Sequence, residues 1–582
     1  MRAKSKKIIA VLGILGIIFA GEGASRPVYA AQGEPLIMGN PNTQNTAIFT
    51  YEADGLVDGE KEFIIPAEAG DNFDIEITFV GNGADGVISF TYDRVTEDQM
   101  VPNTDSSASD RSGLLNETVK EGQQQTRSFS VAAIEGDIVI KATGSGRVLS
   151  IKAVKQAAKA PNEKACIYTI GDSLVQTYAA KYAPQTGWGQ TLPLYFDENV
   201  TFVNHALGGR STGNYMRQGR LNEVLCEIAP GDCVLIEFGH NDASSGNKDR
   251  YVSVADYKKL LADVYIKGIR DRGATPVFVT LCNRNQYLRT SSEFTVSFPE
   301  YVEAMRETAA ETDTLLIDLN AITVEYFTKL NLELGAGITK DIIYNYAIAG
   351  AYEGEYAKGV RDDTHLQYYG AKLVGGFVAE ELQKLNLQGI SEHYVPLETP
   401  KEAPGMPEGI AEKQYENFVS RITWTPCEGA DYYKVLVAEI AEKNAQGDGA
   451  ANGDETAGVS TDSGIYEIVG EFEIAGYTTV CDFANTDAVA GKHYAYKVTA
   501  VNAAGESPES DVFTFGLQLA AGDEPEPDSS GLTEPSSFEP SEPQPEQGEV
   551  QSSKMVVVIA VILAVAAAVA VIGVVVWKKS SR

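Results

Sequence analysis

Positive charge is scarce in this chain: 47 Lys and Arg stand against 81 Asp and Glu in 582 residues, a formal net charge of −34. A nucleic-acid binder needs a basic face to neutralise phosphates, so that class is excluded. Cysteine is scarce too. Six residues (Cys166, Cys226, Cys233, Cys282, Cys427, Cys481) over this length do not form a dense disulfide framework, and Cys166 and Cys233 lie in apolar runs that suit buried free thiols. Only five histidines are present, which leaves few candidates for acid–base work. A Leu-Pro-x-Thr-Gly wall-sorting motif is lacking. Bulk disorder is excluded as well, because 22% charged and 9% aromatic residues are ordinary globular values.

At roughly 100–200 residues per domain, the length predicts about three to five folded units. Arg2, Lys4, Lys6 and Lys7 precede an apolar run from Ile8 to Ala20, followed by the small-residue site Val28-Tyr29-Ala30; residues 1–30 are expected to be a secretory signal peptide. Met555 to Trp577 gives 23 uncharged residues, about 34 Å of helix, enough to cross a hydrocarbon core of roughly 30 Å. The expectation is one transmembrane helix at 555–577, with Lys578, Lys579 and Arg582 on the cytoplasmic side. Residues 521–553 carry nine acidic residues, six prolines and no Lys or Arg, the composition of a self-repelling spacer. The predicted location is therefore the cell membrane, single-pass, with an extracellular ectodomain, by analogy in a monoderm bacterium.

Two segments read as antiparallel strands. In 404–517 the runs Val419–Trp424, Tyr432–Val437, Tyr466–Val469 and His493–Asn502 alternate between turn signals, which implies a β-sandwich, with a Gly/Ala/Asp-rich insertion at about 442–464 read as a flexible loop. In 35–157 the runs Glu62–Pro66, Phe73–Val80, Gly86–Tyr92, Ile138–Ala142 and Val148–Val154 imply a sandwich or jelly roll. The middle, 162–388, differs. Cys166–Ile170, Thr201–Asn204, Cys233–Phe238, Pro276–Thr280 and Thr314–Asp318 are nearly continuous apolar runs separated by helix-length segments such as 254–272 and 299–311. Such runs suit strands buried on both faces of a parallel sheet, so a doubly wound, flavodoxin-like α/β domain is expected, with its chemistry just beyond the strands' carboxyl ends.

Four short blocks occupy those places: Gly171-Asp172-Ser173-Leu174, Gly208-Gly209-Arg210-Ser211, Gly239-His240-Asn241-Asp242 and Asp362-Asp363-Thr364-His365. Singly each reads as a turn or cap. Together they supply what acyl transfer needs: a hydroxyl nucleophile, a base, an orienting carboxylate and N–H donors for the oxyanion.

At these residues the sequence resembles the SGNH (GDSL-type) hydrolase family, whose blocks match Ser173, Gly209, Asn241 and Asp362/His365. More narrowly it is similar to the rhamnogalacturonan acetylesterase branch, through Gly171-Asp-Ser173, Gly187-Trp-Gly-Gln190, Asn204 to Ser211, Gly231 to Asp242 and Asp362-Asp-Thr-His365 in that order. Leu174 replaces the Thr associated with that branch, and Val279 to Gln286 differs around its middle loop, which bears on substrate rather than mechanism. The resemblance implies Ser173 as nucleophile, His365 as base, Asp362 as its orienting carboxylate, and an oxyanion hole of the Ser173 and Gly209 N–H groups and the Asn241 amide; it requires no metal and no cofactor. His240 is then expected to shape the Asn241 turn and His205 to pack at a strand end. The C-terminal segment resembles a fibronectin type III domain, through Tyr494 to Ser507 and Trp424, and the N-terminal one resembles galactose-binding-like accessory domains, which suggests carbohydrate binding.

Gly209-Arg-Ser-Thr-Gly213 also fits the Gly-x-Ser-x-Gly nucleophile elbow of α/β-hydrolases, with Ser211 as the rival nucleophile, although Gly213 and Gly219 interrupt the helix that an elbow demands. The favoured function is a serine esterase that deacetylates a plant-type polysaccharide (rhamnogalacturonan, pectin or xylan) through an acyl-enzyme. Arg210, Arg217 and Arg220 are the tentative partners of uronate carboxylates. Alternatives are a lipid or small-ester hydrolase of the same family and a non-enzymatic glycan-binding adhesin. Residues 161–400 carry 21 basic and 31 acidic residues, so most charge density lies in the flanking segments, and an acidic polysaccharide is not excluded as partner.

Overall fold

The apolar runs of the middle region pair into one parallel sheet. The computed structural model describes residues 36–37, 48–52, 57–58, 60–81, 86–97, 115–413, 420–442, 466–489 and 491–515. Strands β1 (Cys166–Gly171), β2 (Thr201–Asn204), β3 (Cys233–Glu237), β4 (Thr275–Val279) and β5 (Leu315–Ile317) lie in the order β2-β1-β3-β4-β5, every pair parallel. This is the flavodoxin-like doubly wound order, whose direction reverses between β1 and β3. Every residue of β1 and β3 is buried, because helices cover both faces.

Side-chain alternation splits the core into two layers. Ile167, Leu235, Val277 and Ile317 face a cluster with Phe327, Val374 and Val378, which belong to α5 (Leu319–Leu334) and α6 (Tyr368–Lys384). Tyr168, Ile170, Val234, Ile236 and Phe278 face the opposite cluster. There they meet α2 (Arg220–Glu227), α3 (254–270, with wide π turns over Leu260–Ile266) and α4 (Pro299–Glu311), while the short α1 (Thr212–Arg217) leads into α2. An antiparallel hairpin, β6 (Tyr344–Ala347) and β7 (Val360–Leu366), precedes α6.

Both flanking regions are β-rich. In the N-terminal one the 18-residue strand Ile138–Lys155 pairs with Lys61–Ile65 and Gly86–Tyr92 through its first half, and with Asn72–Val80 and Ile48–Glu52 through its second. Phe63, Ile75, Ile77, Phe79, Phe90, Ile140 and Ile151 close one core. This region seats on α2 and α3: Asn222 Oδ1 accepts from the Ala132 N–H at 2.9 Å, and Arg272 donates to the Asp71 and Ala133 carbonyls, each at 3.1 Å. In the C-terminal region a three-stranded sheet (Ala411–Glu412, Arg421–Thr423, Asp482–Ala484) faces a five-stranded one built on Tyr432–Glu442 and His493–Asn502, around Ile422, Trp424, Tyr433, Val435 and Tyr496. It touches the β6–β7 hairpin and the start of α6: Arg421 Nη1 donates to the Ala349 carbonyl at 2.9 Å, and Thr479 Oγ1 donates to Gln367 Oε1 at 2.5 Å.

The six cysteines are free thiols, with Cys166, Cys233 and Cys282 buried. No helix among the described residues is long and apolar enough to cross a membrane. The signal segment 1–30, the insertion beyond Glu442, the spacer 521–553 and the apolar run 555–577 lie outside the described residues.

Candidate active site

Ser173 stands two residues past the end of β1, in a turn forced by close packing. A Cβ on Gly171 would come within 2.5 Å of the Glu237 carbonyl on β3, so the chain leaves the sheet there without a side chain. Asp172 is fully buried; its Oδ1 accepts from the Leu174 N–H at 3.0 Å, and the Val175 and Gln176 N–H groups bond its carbonyl at 3.2 and 3.1 Å. The turn thereby presents the Ser173 hydroxyl above the sheet, at the reversal point between β1 and β3.

His365 reaches that hydroxyl from a bulge. In the hairpin, Tyr344 pairs with Leu366 and Asn345 with Asp362, so Asp363, Thr364 and His365 have no register partner on β6. Bulges re-aim side chains beside active sites, and here His365 Nε2 lies 2.8 Å from Ser173 Oγ while its Nδ1 lies 2.6 Å from Asp362 Oδ2. Asp362 Oδ1 accepts from the Thr364 and His365 N–H groups at 2.8 and 3.1 Å, which locks the carboxylate inside the bulge. Burial alone would raise Asp362, but the imidazole and these two N–H donors hold it down to about 2. Burial works to lower His365 and the Asp362 carboxylate outweighs it, leaving the imidazole above its usual 6.5.

The loop after β2 closes the other side. A Cβ on Gly208 would crowd Gln176 Oε1 at 3.0 Å and the Ser173 Cβ at 3.3 Å, and Gly209 adopts φ +76°, a conformation that suits glycine. The Gly208 N–H donates to Gln176 Oε1 at 2.5 Å. Among the described residues, neither the Ser173 N–H nor the Gly209 N–H donates to a protein acceptor. Asn241, 7% exposed, is held beside them: its Nδ2 donates to Asp172 Oδ2 at 3.3 Å and to the Arg210 carbonyl at 3.2 Å. A hydroxyl, an imidazole backed by a carboxylate and uncommitted backbone N–H donors are the parts that acyl transfer requires.

Several expected site residues stand elsewhere. Ser211 is fully buried as the N-cap of α1, its Oγ bonded to Asn214, and His365 is bonded to Ser173 instead; Ser211 is therefore a capping residue. Arg220, 2% exposed, is sealed in the core and cannot meet a polymer. Arg217 donates to Glu97 Oε1 at 2.5 Å and to the Asp249 carbonyl at 3.0 Å, so it is engaged by protein groups. Arg210 does flank the site, its Nη1 donating to the Gly208 carbonyl at 2.9 Å. Burial, with Arg220 and Arg250 near, lowers it to about 10. His205 is a buried strand-end residue 2.8 Å from Glu227 Oε2, and His240 Nδ1 lies 3.5 Å from Asp172 Oδ2, buttressing the Asn241 turn.

Arg250, unannounced by the sequence, also borders the site: its Nη1 donates to Asn241 Oδ1 at 3.4 Å and its Nη2 lies 3.1 Å from where a Gly209 Cβ would be. In sequence it is one cation of Lys248-Asp249-Arg250, with no signal that separates it from a surface charge. Two buried acids beneath the site are equally silent in sequence. Burial pushes Glu237, beside Asp172, and Asp242 each up to about 7; Glu237 accepts from the Cys282 N–H at 2.9 Å and from Trp188 Nε1, and Asp242 from the Thr212 N–H at 3.0 Å.

Comparison with known proteins relates the α/β region to ester hydrolases by sequence. Residues 169–372 match the GDSL-like lipase/acylhydrolase family. The chain is 36% identical over 222 residues to a Bacillus subtilis protein named probable rhamnogalacturonan acetylesterase YesY, covering 38% of this chain and 94% of the relative. It is 33% identical over 229 residues to rhamnogalacturonan acetylesterase RhgT of the same organism, covering 39% and 94%. The crystal structure of the Bacillus subtilis protein YxiM aligns over 59% of this chain and 82% of that one, at 23% identity and a TM-score of 0.33. The chain thus belongs to the GDSL-like lipase/acylhydrolase family and is a carboxylic ester hydrolase of the SGNH type.

Proposed function

We propose that the chain is a cell-surface serine esterase that removes acetyl groups from a uronate-bearing, plant-type polysaccharide through an acyl-enzyme. The observation that carries this reading is the 2.8 Å contact of Ser173 Oγ with His365 Nε2, backed by Asp362 at 2.6 Å and flanked by the uncommitted Ser173 and Gly209 N–H groups. Ser173 Oγ attacks the acetyl carbonyl as its proton passes to His365 Nε2; Asp362 stabilises the imidazolium. The Ser173 and Gly209 N–H groups receive the oxyanion, with the Asn241 amide sharing the N–H that it otherwise gives the Arg210 carbonyl at 3.2 Å, each donor being worth about 2.7–4 kcal/mol of barrier. His365 returns the proton to the leaving sugar oxygen, and water, deprotonated by the same imidazole, releases acetate.

The relatives' names supply the substrate class, and the charge around the oxyanion loop supports it. Arg250 and Arg210 are the cations beside Gly209, and among the described residues Arg250 makes no side-chain hydrogen bond besides that to Asn241, which leaves donors for a carboxylate. The flanking β-rich regions we read as an accessory carbohydrate-binding unit and a fibronectin type III-like spacer. Residues 1–30 and 555–577 we read as the secretion signal and tether, from their composition.

Acetate release from acetylated rhamnogalacturonan, acetylated xylan and acetylated chitin-type glycan tests the reading. The rhamnogalacturonan is expected to be the best substrate. Arg250→Gln is expected to lower kcat/KM on it at least about tenfold more than on xylan, the size of a lost charge-assisted hydrogen bond. Equal losses on the two polymers reject the carboxylate contact, and preference for xylan rejects the anionic substrate.

A further inference from the structure

The N-terminal region reaches the oxyanion loop through one carboxylate. The Thr96 and Glu97 N–H groups donate to the Arg217 carbonyl at 3.1 and 3.2 Å, and Arg217 Nε donates back to Glu97 Oε1 at 2.5 Å. The second carboxylate oxygen accepts from Gln218 Nε2 at 3.5 Å. Gln218 Oε1 in turn accepts from Arg210 Nε at 3.1 Å, and Arg210 Nη1 donates to the Gly208 carbonyl at 2.9 Å. The backbone of Arg210 completes the path, since its carbonyl accepts from Asn241 Nδ2 at 3.2 Å.

The loop needs this support. Gly208 and Gly209 have no side chains to pack, so the pose of the Gly209 N–H depends on what grips the carbonyls either side of it. Arg210 is that grip, holding Gly208 with its guanidinium and Asn241 with its carbonyl. Arg220 and Arg250 act on its guanidinium as like charges, and Glu97 is the carboxylate that opposes them. Removing Glu97 leaves Arg217 held by the Asp249 carbonyl alone, takes away the acceptor of Gln218 Nε2 and frees Arg210 to turn away from its cationic neighbours.

We propose that Glu97, contributed by the N-terminal β-rich region, is a positioning residue for ester hydrolysis, acting through Gln218 and Arg210 on the Gly208–Gly209 loop. The accessory region is then part of the catalytic unit, whatever else it binds. The inference rests on Gly209 and Asn241 as oxyanion donors.

In the full chain, Glu97→Gln and Gln218→Ala are each expected to lower kcat for a small activated acetate ester about tenfold, with KM moved by less than about twofold, because a slightly misplaced loop costs transition-state rather than ground-state binding. The double variant is expected to lose no more than the worse single variant, since the two residues act in series. A merely structural role would lower the melting temperature and leave kcat per folded molecule in place. Unchanged kcat in both single variants, or losses that multiply in the double variant, overturns the proposal. If Glu97→Gln does not fold, Gln218→Ala decides alone on the same kcat criterion. Asn241→Ala separates the two levels: a loss of about 10²–10³ there with none at Glu97 or Gln218 rejects the relay only, whereas unimpaired Asn241→Ala rejects the oxyanion assignment beneath it.

Discussion

Ser173→Ala is expected to lower kcat for acetate release on the order of 10⁴–10⁶-fold, leaving the residual rate that binding and oxyanion donors supply without a nucleophile. The expectation follows from geometry: Ser173 Oγ is the hydroxyl at 2.8 Å from His365 Nε2, and it stands beside N–H donors that have no acceptor among the described residues. Ser211→Ala is the matched control. Ser211 is fully buried and caps α1 through Asn214, so its loss is expected to cost about 1 kcal/mol of stability with kcat within about threefold of the parent. Steady-state kinetics with thermal melts on both variants checks the pair, and a Ser173→Ala enzyme with full turnover would remove the basis of the mechanism.

Asp362→Asn is expected to lower kcat about 10⁴-fold and to move the acid limb of the pH profile. In the parent enzyme the working base is neutral His365, whose pKa is raised above 6.5 because Asp362 outweighs the effect of burial. Activity on a small ester therefore rises with pH through that raised value. Without the carboxylate, burial governs the imidazole and pulls its pKa down, so the acid limb shifts to lower pH while the plateau falls. The same pair fixes a stability window. The Asp362 contribution is complete above its unfolded value near 3.8 and is lost as pH falls toward about 2; the His365 contribution is complete below 6.5 and is lost as pH rises through the raised folded value. An Asp362→Asn variant whose acid limb stays in place, measured as kcat/KM from pH 4 to 9 in about half-unit steps, shows that another group sets it.

Burial on both faces made the parallel sheet legible in the sequence. Cys166–Gly171 and Cys233–Glu237 are buried throughout, and mostly apolar apart from Thr169 and Glu237, because helices cover each side, and the short blocks after them stand where a doubly wound sheet places ligands. Strands with a polar face were harder to see. Gln124–Ala132 begins Gln-Gln-Thr-Arg and is stabilised by its ladder to Asn72–Val80 rather than by its own composition. The polar run Asp362 to His365 belongs to β7, where an unpaired bulge, which no local pattern announces, turns the histidine toward Ser173.

The arginines failed for a different reason. Sequence proximity to the second strand says that Arg210, Arg217 and Arg220 are near the loop but not which way they point: α1 and α2 turn Arg217 toward Glu97 and Arg220 into the core, and Arg250 arrives beside Gly209 from a later loop. Glu97 could not be tied to this site from sequence, since it is more than a hundred residues away and joins it only through the packing of one domain against another.

The most direct test of the central claim is the covalent intermediate. The full chain, mixed with an activated acetate ester, quenched during the first turnover and digested for peptide mass spectrometry, is predicted to carry one acetyl group on the peptide containing Ser173, at the Ser173 oxygen. An acetyl group on the Ser211 peptide, or unimpaired acetate release with no acylated serine at any quench time, would contradict the account.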